Sequence, residues 1–291
     1  MEREPGNVHT SQLDRRFAWR GRSVAWTSRG DGPPLVLLHG TPWSQQLWAP
    51  VAAVLADRFT VYQWDMPGYG ASSKAPDDAV DLGVQGELFA ELLSAWGLAR
   101  PHVIAHDYGG AVALRARLLH GARFASLALV DVVALAPWGS PFFQLVRENS
   151  AVFEQLPPAI HRATVEAYIR GASHRGLDDA SLSMLVHPWI EPGGQAAFYR
   201  QIAAADERFT NEVESGYASI DEPVHLVWGA EDTWIPVDRA HRLRAMIPGS
   251  TLAVIPEAGH LIHLDAPTGL AAELVRWTER HRDVPAGTPV S

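Results

Sequence analysis

Residues 102–110 read HVIAHDYGG. An apolar run containing the β-branched Val103 and Ile104 stops at Asp107. Gly109 and Gly110 follow, and helical spacing runs from Ala111 to Leu119. The pattern is strand, sharp turn, helix. Ala105 and Gly109 stand two residues to either side of Asp107, and small neighbours are what a strained turn needs to hold its central side chain outward. Taken alone, an Asp before two glycines could equally cap the next helix. Two later residues favour chemistry. Asp232 closes Gly229-Ala-Glu-Asp after a buried apolar run, and His260 follows Gly259 just before the last helix. A carboxylate that attacks, a His that activates water and an acid that orients the imidazole form a set for nucleophilic hydrolysis.

The elements that must position these residues alternate along the chain. Residues 17–20 and 23–27 read as a hairpin-like strand pair around Gly21 and Arg22. Leu35–Leu38 is a continuous apolar run, the mark of a strand buried on both faces. It ends in His39-Gly-Thr-Pro42, and a helix is expected near Ser44. The strand 59–64 leads into the glycine-rich loop 65–72, and residues 80–97 have helical spacing with Leu88, Leu92, Leu93 and Trp96 on one face. Residues 126–130 form another buried strand, ending at Asp131. From 137 to 213 the alternation stops; helical pieces rich in aromatics are broken by Pro157-Pro158, Gly176 and residues 192–194. The rhythm resumes with strand 224–228, helix 236–247, strand 251–255 and helix 267–281. Residues 1–13 and 283–291 read as loose ends.

Alternating strands and helices of this kind predict an α/β fold with a mostly parallel, eight-stranded sheet and helices on both faces. The expected organisation is a core over 14–136 and 214–282, with a helical cap over 137–213 inserted after the sixth strand. Ligands bind such sheets at the carboxyl ends of the strands. His39, Asp107, Asp131, Asp232 and His260 all fall just past strand ends and are expected to meet there.

Composition narrows the function. The chain has 291 residues, a formal net charge of −9 and no basic cluster, which argues against nucleic acid or anionic membranes as partners. It has no Cys, which excludes disulfides, thiolate metal sites and a thiol nucleophile. No His-Glu-x-x-His pattern occurs among the 13 His residues, so neither metal nor cofactor is expected. The polar start of the chain is unlike a signal peptide, and no apolar run approaches the length of a membrane span. A cytoplasmic protein is expected, with a homodimer left open.

His39-Gly-Thr-Pro42, the Asp65-x-x-Gly-x-Gly-x-Ser72 loop, the turn at Asp107, Gly229-x-x-Asp232 and Gly259-His260 occur in the order and spacing of the α/β-hydrolase superfamily. The chain resembles that superfamily over essentially its whole length. Because Asp stands where Ser is usual, it is similar to the branch that holds epoxide hydrolases and, next, haloalkane dehalogenases. The resemblance implies Asp107 as nucleophile, His260 as base and Asp232 as the acid that orients it, with Asp131 as a rival. It also implies an oxyanion hole from the Thr41 and Tyr108 amides. A carboxylate that attacks saturated carbon forms a stable alkyl ester, which water then cleaves.

Epoxide hydrolases of this branch use cap tyrosines to protonate the departing alkoxide. Residues 193–200, with Phe198-Tyr199-Arg200, are similar to one tyrosine motif, so Tyr199 is the expected donor, its hydroxyl pointing toward Asp107. The second tyrosine would fall at Val152-Phe153; Tyr168 and Tyr217 are the substitutes. Dehalogenases use indole or amide donors for halide. Tyr108 and Thr41 stand where that branch commonly has Trp and Asn, although Trp43, Trp138 or Trp189 could serve. The epoxide reading therefore leads, with His39, Trp43, Phe153 and Tyr168 expected around a small apolar or aryl-bearing substrate that becomes a vicinal diol. A fold of this kind can also be a non-catalytic binding protein. Nothing in the chain matches Gly-x-Ser-x-Gly, which leaves an esterase without support.

Overall fold

The computed structural model describes residues 13–283, so the loose ends expected at 1–13 and 283–291 lie, Leu13 and Asp283 apart, outside the described residues. Eight strands form one sheet: β1 (Arg15–Trp19), β2 (Arg22–Arg29), β3 (Pro34–Leu38), β4 (Thr60–Trp64), β5 (His102–His106), β6 (Ser126–Val130), β7 (Val224–Gly229) and β8 (Thr251–Ile255). Their spatial order is β1-β2-β4-β3-β5-β6-β7-β8. β1 pairs antiparallel with β2, and β2 with β4. Every later pairing is parallel.

The period-two pattern of the strands builds two cores. Leu35, Leu37, Ile104, Val130 and Val227 face α1 (Ala49–Leu55) and α11 (Pro267–His281). Val36, Leu38, Val103, Leu129 and Leu226 face the other way, against α2 (Leu82–Ala95) and α3 (Tyr108–Leu119). β5 is buried throughout, its apolar Val103–Ala105 flanked by the buried His102 and His106. The helix expected near Ser44 begins as a single tight turn, Gln45–Trp48, capped by the Ser44 hydroxyl, before α1 takes over at Ala49.

Between β6 and β7 lie α4 (Pro141–Phe153), α5 (Pro158–Arg170), α6 (Asp179–Ile190), α7 (Gly194–Ala203) and α8 (Arg208–Glu214). The domain then closes through α9 (Asp238–Met246), β8, the short α10 (Ile262–Asp265) and α11. Registers Leu38↔Ala105, His106↔Val130 and Val130↔Val227 align the carboxyl ends of four neighbouring strands. The loops carrying His39, Asp107, Asp131 and Asp232 therefore leave the sheet at one edge.

Candidate active site

Asp107 sits between β5 and α3 with φ 50° and ψ −119°. Such a conformation costs a non-glycine residue on the order of 1–3 kcal/mol and persists only where the surroundings fix it. Here its N–H donates to the Val130 carbonyl at 3.3 Å, while its own carbonyl accepts from Gly110 at 3.0 Å and Val133 at 3.2 Å. Gly109 makes the turn feasible, because a Cβ there would lie 2.7 Å from the His39 carbonyl oxygen and 2.8 Å from Leu38 Cβ. Gly40 is required as closely, since a Cβ on it would overlap the Asp107 side chain at 2.3 Å.

The carboxylate is held at both ends. The Thr41 amide donates to Asp107 Oδ1 at 2.6 Å, and His260 Nε2 stands 3.4 Å from Asp107 Oδ2. Tyr108 is the first residue of α3, so its amide is one of the helix donors without an intrahelical acceptor. His260 Nδ1 bonds to Asp232 Oδ2 at 2.9 Å. The other oxygen of Asp232 accepts from the Trp234 amide at 2.8 Å and the Ile235 amide at 2.9 Å. Asp232 is thus fully engaged, and the imidazole is aimed from one carboxylate at the other. Burial opposes a charge on His260, but Asp232 and Asp107 outweigh it and raise its pKa well above the usual value.

Asp131 does not hold the imidazole. Its Oδ1 accepts from the Gly229 amide at 2.8 Å, and no protein group among the described residues pairs with its Oδ2. Burial, then the nearby charge of Asp232, raises its pKa well above the carboxylate range.

Asp265, which sequence reasoning missed, fixes the His260 loop from behind. It accepts from the Gly259 amide at 2.8 Å, the His174 amide at 2.8 Å and the Ser173 hydroxyl at 2.5 Å. It thereby ties the segment after α5 to the histidine. Its place six residues past Gly259 on a short turn leaves no pattern of its own in the sequence.

A cavity of about 400 Å³ opens onto Asp107, within the range of small-molecule sites. Its walls include Thr41, Tyr108, Trp138, Phe143, Tyr168 and Trp234, so the core loops and the inserted helices both contribute. Trp234 stacks on His260 at 5.1 Å and on Tyr168 at 4.5 Å. Burial chiefly, with the Asp107 charge next, raises the Tyr168 phenol well above 10 and keeps it protonated.

Several expected site residues fall elsewhere. The Tyr199 hydroxyl is not directed at Asp107: it bonds to His161 Nδ1 at 3.0 Å, and His161 Nε2 bonds to the Trp189 carbonyl at 2.9 Å. Both residues are buried among the inserted helices, where α7 turns this face away from the cavity. Phe153 packs on Tyr199 at 5.3 Å and is not a wall residue either. His39 has both ring nitrogens engaged. Its Nδ1 bonds to the Gly40 carbonyl at 2.9 Å and its Nε2 accepts from the Met66 amide at 3.0 Å, so it braces two loops instead of lining the cavity. Burial lowers its pKa, which suits that neutral role. Trp43 is behind the wall, stacked on Trp234 at 6.0 Å. The Tyr217 hydroxyl donates to the Ala134 carbonyl at 2.7 Å. Of the four residues expected around the substrate, Tyr168 lines the cavity.

One further residue of the inserted helices reaches the core loops. Gln201 Oε1 accepts from the Thr41 hydroxyl at 2.5 Å and from the Tyr69 hydroxyl at 3.0 Å. It lies two residues past Tyr199 on α7, so the sequence motif marked the right helix but the wrong face.

No group of metal-ligating side chains occurs among the described residues. No described helix is long and apolar enough to cross a membrane.

A parallel α/β sheet with a carboxylate–imidazole–carboxylate line at its carboxyl edge defines a hydrolase scaffold. Residues 35–273 match the model of the alpha/beta hydrolase family, and the chain belongs to that family. An alpha/beta hydrolase fold protein from Burkholderia ambifaria is 46% identical, with a TM-score of 0.89 over 92% of this chain and 99% of that one. Haloalkane dehalogenase 2 of Mycobacterium tuberculosis is 27% identical over an alignment 278 residues long that covers 88% of this chain and 91% of the relative. A candidate epoxide hydrolase from Pseudomonas aeruginosa is 22% identical, with a TM-score of 0.78 over 93% and 96% of the two chains; that likeness concerns the fold alone.

Proposed function

We propose that this hydrolase attacks saturated carbon with Asp107 and passes through an alkyl ester, most readily from a small, mostly apolar epoxide that leaves as a vicinal diol. The observation that carries the first half is the geometry of Asp107. One oxygen is fixed on the Thr41 amide at 2.6 Å, and the other, 3.4 Å from His260 Nε2, borders the cavity. Attack by Oδ2 on a ring carbon would break the carbon–oxygen bond and leave a hydroxyalkyl ester on Asp107. His260 would then take a proton from water, and the hydroxide would add to the Asp107 carbonyl carbon. The Thr41 amide, which already donates to Oδ1, and the Tyr108 amide would stabilise the resulting oxyanion. On collapse the alcohol would depart with the proton held by His260. The inserted helices act as a cap that keeps bulk water from the ester.

The epoxide half of the reading rests on which donors face the cavity. Tyr168 is on its wall, while the indole N–H groups of Trp138 and Trp189 are already committed, to the Thr210 hydroxyl at 2.9 Å and the Pro42 carbonyl at 2.9 Å. A phenol protonates an alkoxide, which an epoxide needs and a halide does not. Tyr168 therefore takes the part first expected of Tyr199. The second reading is dehalogenation, favoured by the 88% of this chain that aligns with haloalkane dehalogenase 2.

The His260→Gln variant tests both readings. Without the base an ester should accumulate on Asp107 and be read by intact mass. An epoxide adds its whole mass, a haloalkane only its alkyl group, and Asp107→Asn should abolish either adduct. Adducts that persist in Asp107→Asn would move the nucleophile to another residue, and none from broad panels of both classes would end the Asp107 reading and leave a binding protein as the better account.

A further inference from the structure

The Tyr108 side chain is left unexplained by the amide role of the same residue. The residue is 5% exposed and belongs to the cavity wall beside Asp107, and its hydroxyl, itself enclosed, has no hydrogen-bond partner among the described residues. The ring is fixed edge-on against Trp138 at 5.7 Å. A phenol on that wall, buried and without a protein partner, is suited to a polar atom of a ligand. Burial, with Tyr69 and Asp107 adding to it, raises the phenol well above 10, so the group is a proton donor at neutral pH.

We infer that the Tyr108 hydroxyl is the second proton donor to the substrate oxygen, opposite Tyr168, so that the donor pair joins the core turn to the inserted helix α5 in place of two tyrosines from the inserted helices. The assignment rests on the epoxide reading above. The bond from Asp107 Oδ2 to carbon forms as the ring carbon–oxygen bond breaks. The electron pair stays on the oxygen, which takes the proton of one phenol while the other phenol donates a hydrogen bond. The phenolate is reprotonated when ester hydrolysis regenerates Asp107 and releases one proton. Because Tyr108 adjoins Asp107 in the chain, this donor stays fixed relative to the attacking carboxylate even when the inserted helices shift.

The test is the rate of ester formation from styrene oxide, read by intact mass in a His260→Gln background, with and without Tyr108→Phe. Phenylalanine keeps the ring packing and the backbone amide. The loss expected is at least about tenfold, less than the roughly 10²–10⁴-fold a sole positioned acid supplies, because Tyr168 remains. With His260 intact, hydrolysis of the ester once formed should be unchanged in Tyr108→Phe, a split that a general disturbance of the turn would not give. Equal rates of ester formation overturn the Tyr108 assignment alone. An ester from 2-phenylethyl bromide but not from styrene oxide also overturns it, since no alkoxide then needs a proton. No ester from either probe, nor from the broad panels of both classes, removes the reading on which it rests.

Discussion

Asp131 and Asp232 lie at the ends of adjacent strands, and it is Asp232 that holds His260 Nδ1, at 2.9 Å, while Asp131 accepts from the Gly229 amide at 2.8 Å. The two carboxyl groups have divided between them what the sequence left open. Asp232 accepts three hydrogen bonds, so its anion is stabilised where it is needed. Asp131 is buried, and that burial, with the charge of Asp232 beside it, raises its pKa well above the carboxylate range. Asp232→Asn should therefore slow ester hydrolysis by on the order of 10³-fold, since it removes both the orienting acceptor and the counter-charge. Asp131→Asn should stay within a few-fold of the parent. Single-turnover hydrolysis of the Asp107 ester measures both, and a larger loss in Asp131→Asn would reverse the assignment.

The same contrast has a sign in stability. A carboxyl whose folded pKa lies above its unfolded value adds no cost at acid pH; the cost grows as pH rises past the ordinary carboxylate range toward the raised value. Asp131 is such a group, and Asp131→Asn carries no comparable cost. The melting temperature of the variant minus that of the parent should thus increase between about pH 4 and neutrality, in the window set by the raised carboxyl. A difference that stays flat or falls over that window would mean that Asp131 is ionised in the fold.

His260 gives a second pH signature. Its pKa is lowered by burial but raised further by Asp232 and by Asp107. Once Asp107 is an ester it no longer carries charge, so part of that elevation disappears when a neutral base is needed. The pH at which ester hydrolysis reaches half its plateau should then lie below the midpoint of the His260 titration in the free protein, followed by NMR of the ring protons. Coincident midpoints would argue that Asp107 is not the esterified group.

The line from Asp107 to His260 was legible in the sequence because each member sits at a strand end, where local signals are strong. Small residues around Asp107, a glycine before His260 and a buried run before Asp232 are all local. The placement of the tyrosines was not legible. Tyr199 lies in the motif, yet its hydroxyl is claimed by His161, 38 residues away on another helix. That choice depends on how α5 and α7 pack, and neither helix carries a pattern that fixes its rotation. His39 shows the opposite limit. It belongs to a distinct local pattern and lies at the site edge, but the Gly40 carbonyl and the Met66 amide occupy its ring.

Gly259 ought to be intolerant of a side chain for a stated steric reason. A Cβ there would stand 2.8 Å from the His174 amide nitrogen and 3.2 Å from Asp265 Oδ2, the two groups that lock the histidine loop. Gly259→Ala should cost about 1–3 kcal/mol of stability. It should also slow ester hydrolysis at least about tenfold, because a displacement of about 1 Å is enough to spoil such geometry. Ester formation, which does not use the base, should change far less. Equal losses in the two steps would show that the loop does more than place His260.

Tyr199 and Tyr168 offer the sharpest contrast between packing and chemistry. Tyr199→Phe deletes a buried hydrogen bond and leaves His161 Nδ1 without that partner. It should lower stability by about 1–3 kcal/mol, while the rate of ester formation from styrene oxide stays within a few-fold. Tyr168→Phe removes a group on the cavity wall beside Asp107. Its melting temperature should hold, and ester formation should fall by at least about tenfold. Thermal melts and intact-mass rates on the two variants separate the cases. If the kinetic loss falls on Tyr199→Phe instead, the inserted helices must rearrange before substrate binds, and the donor pair would have to be assigned anew from the closed form.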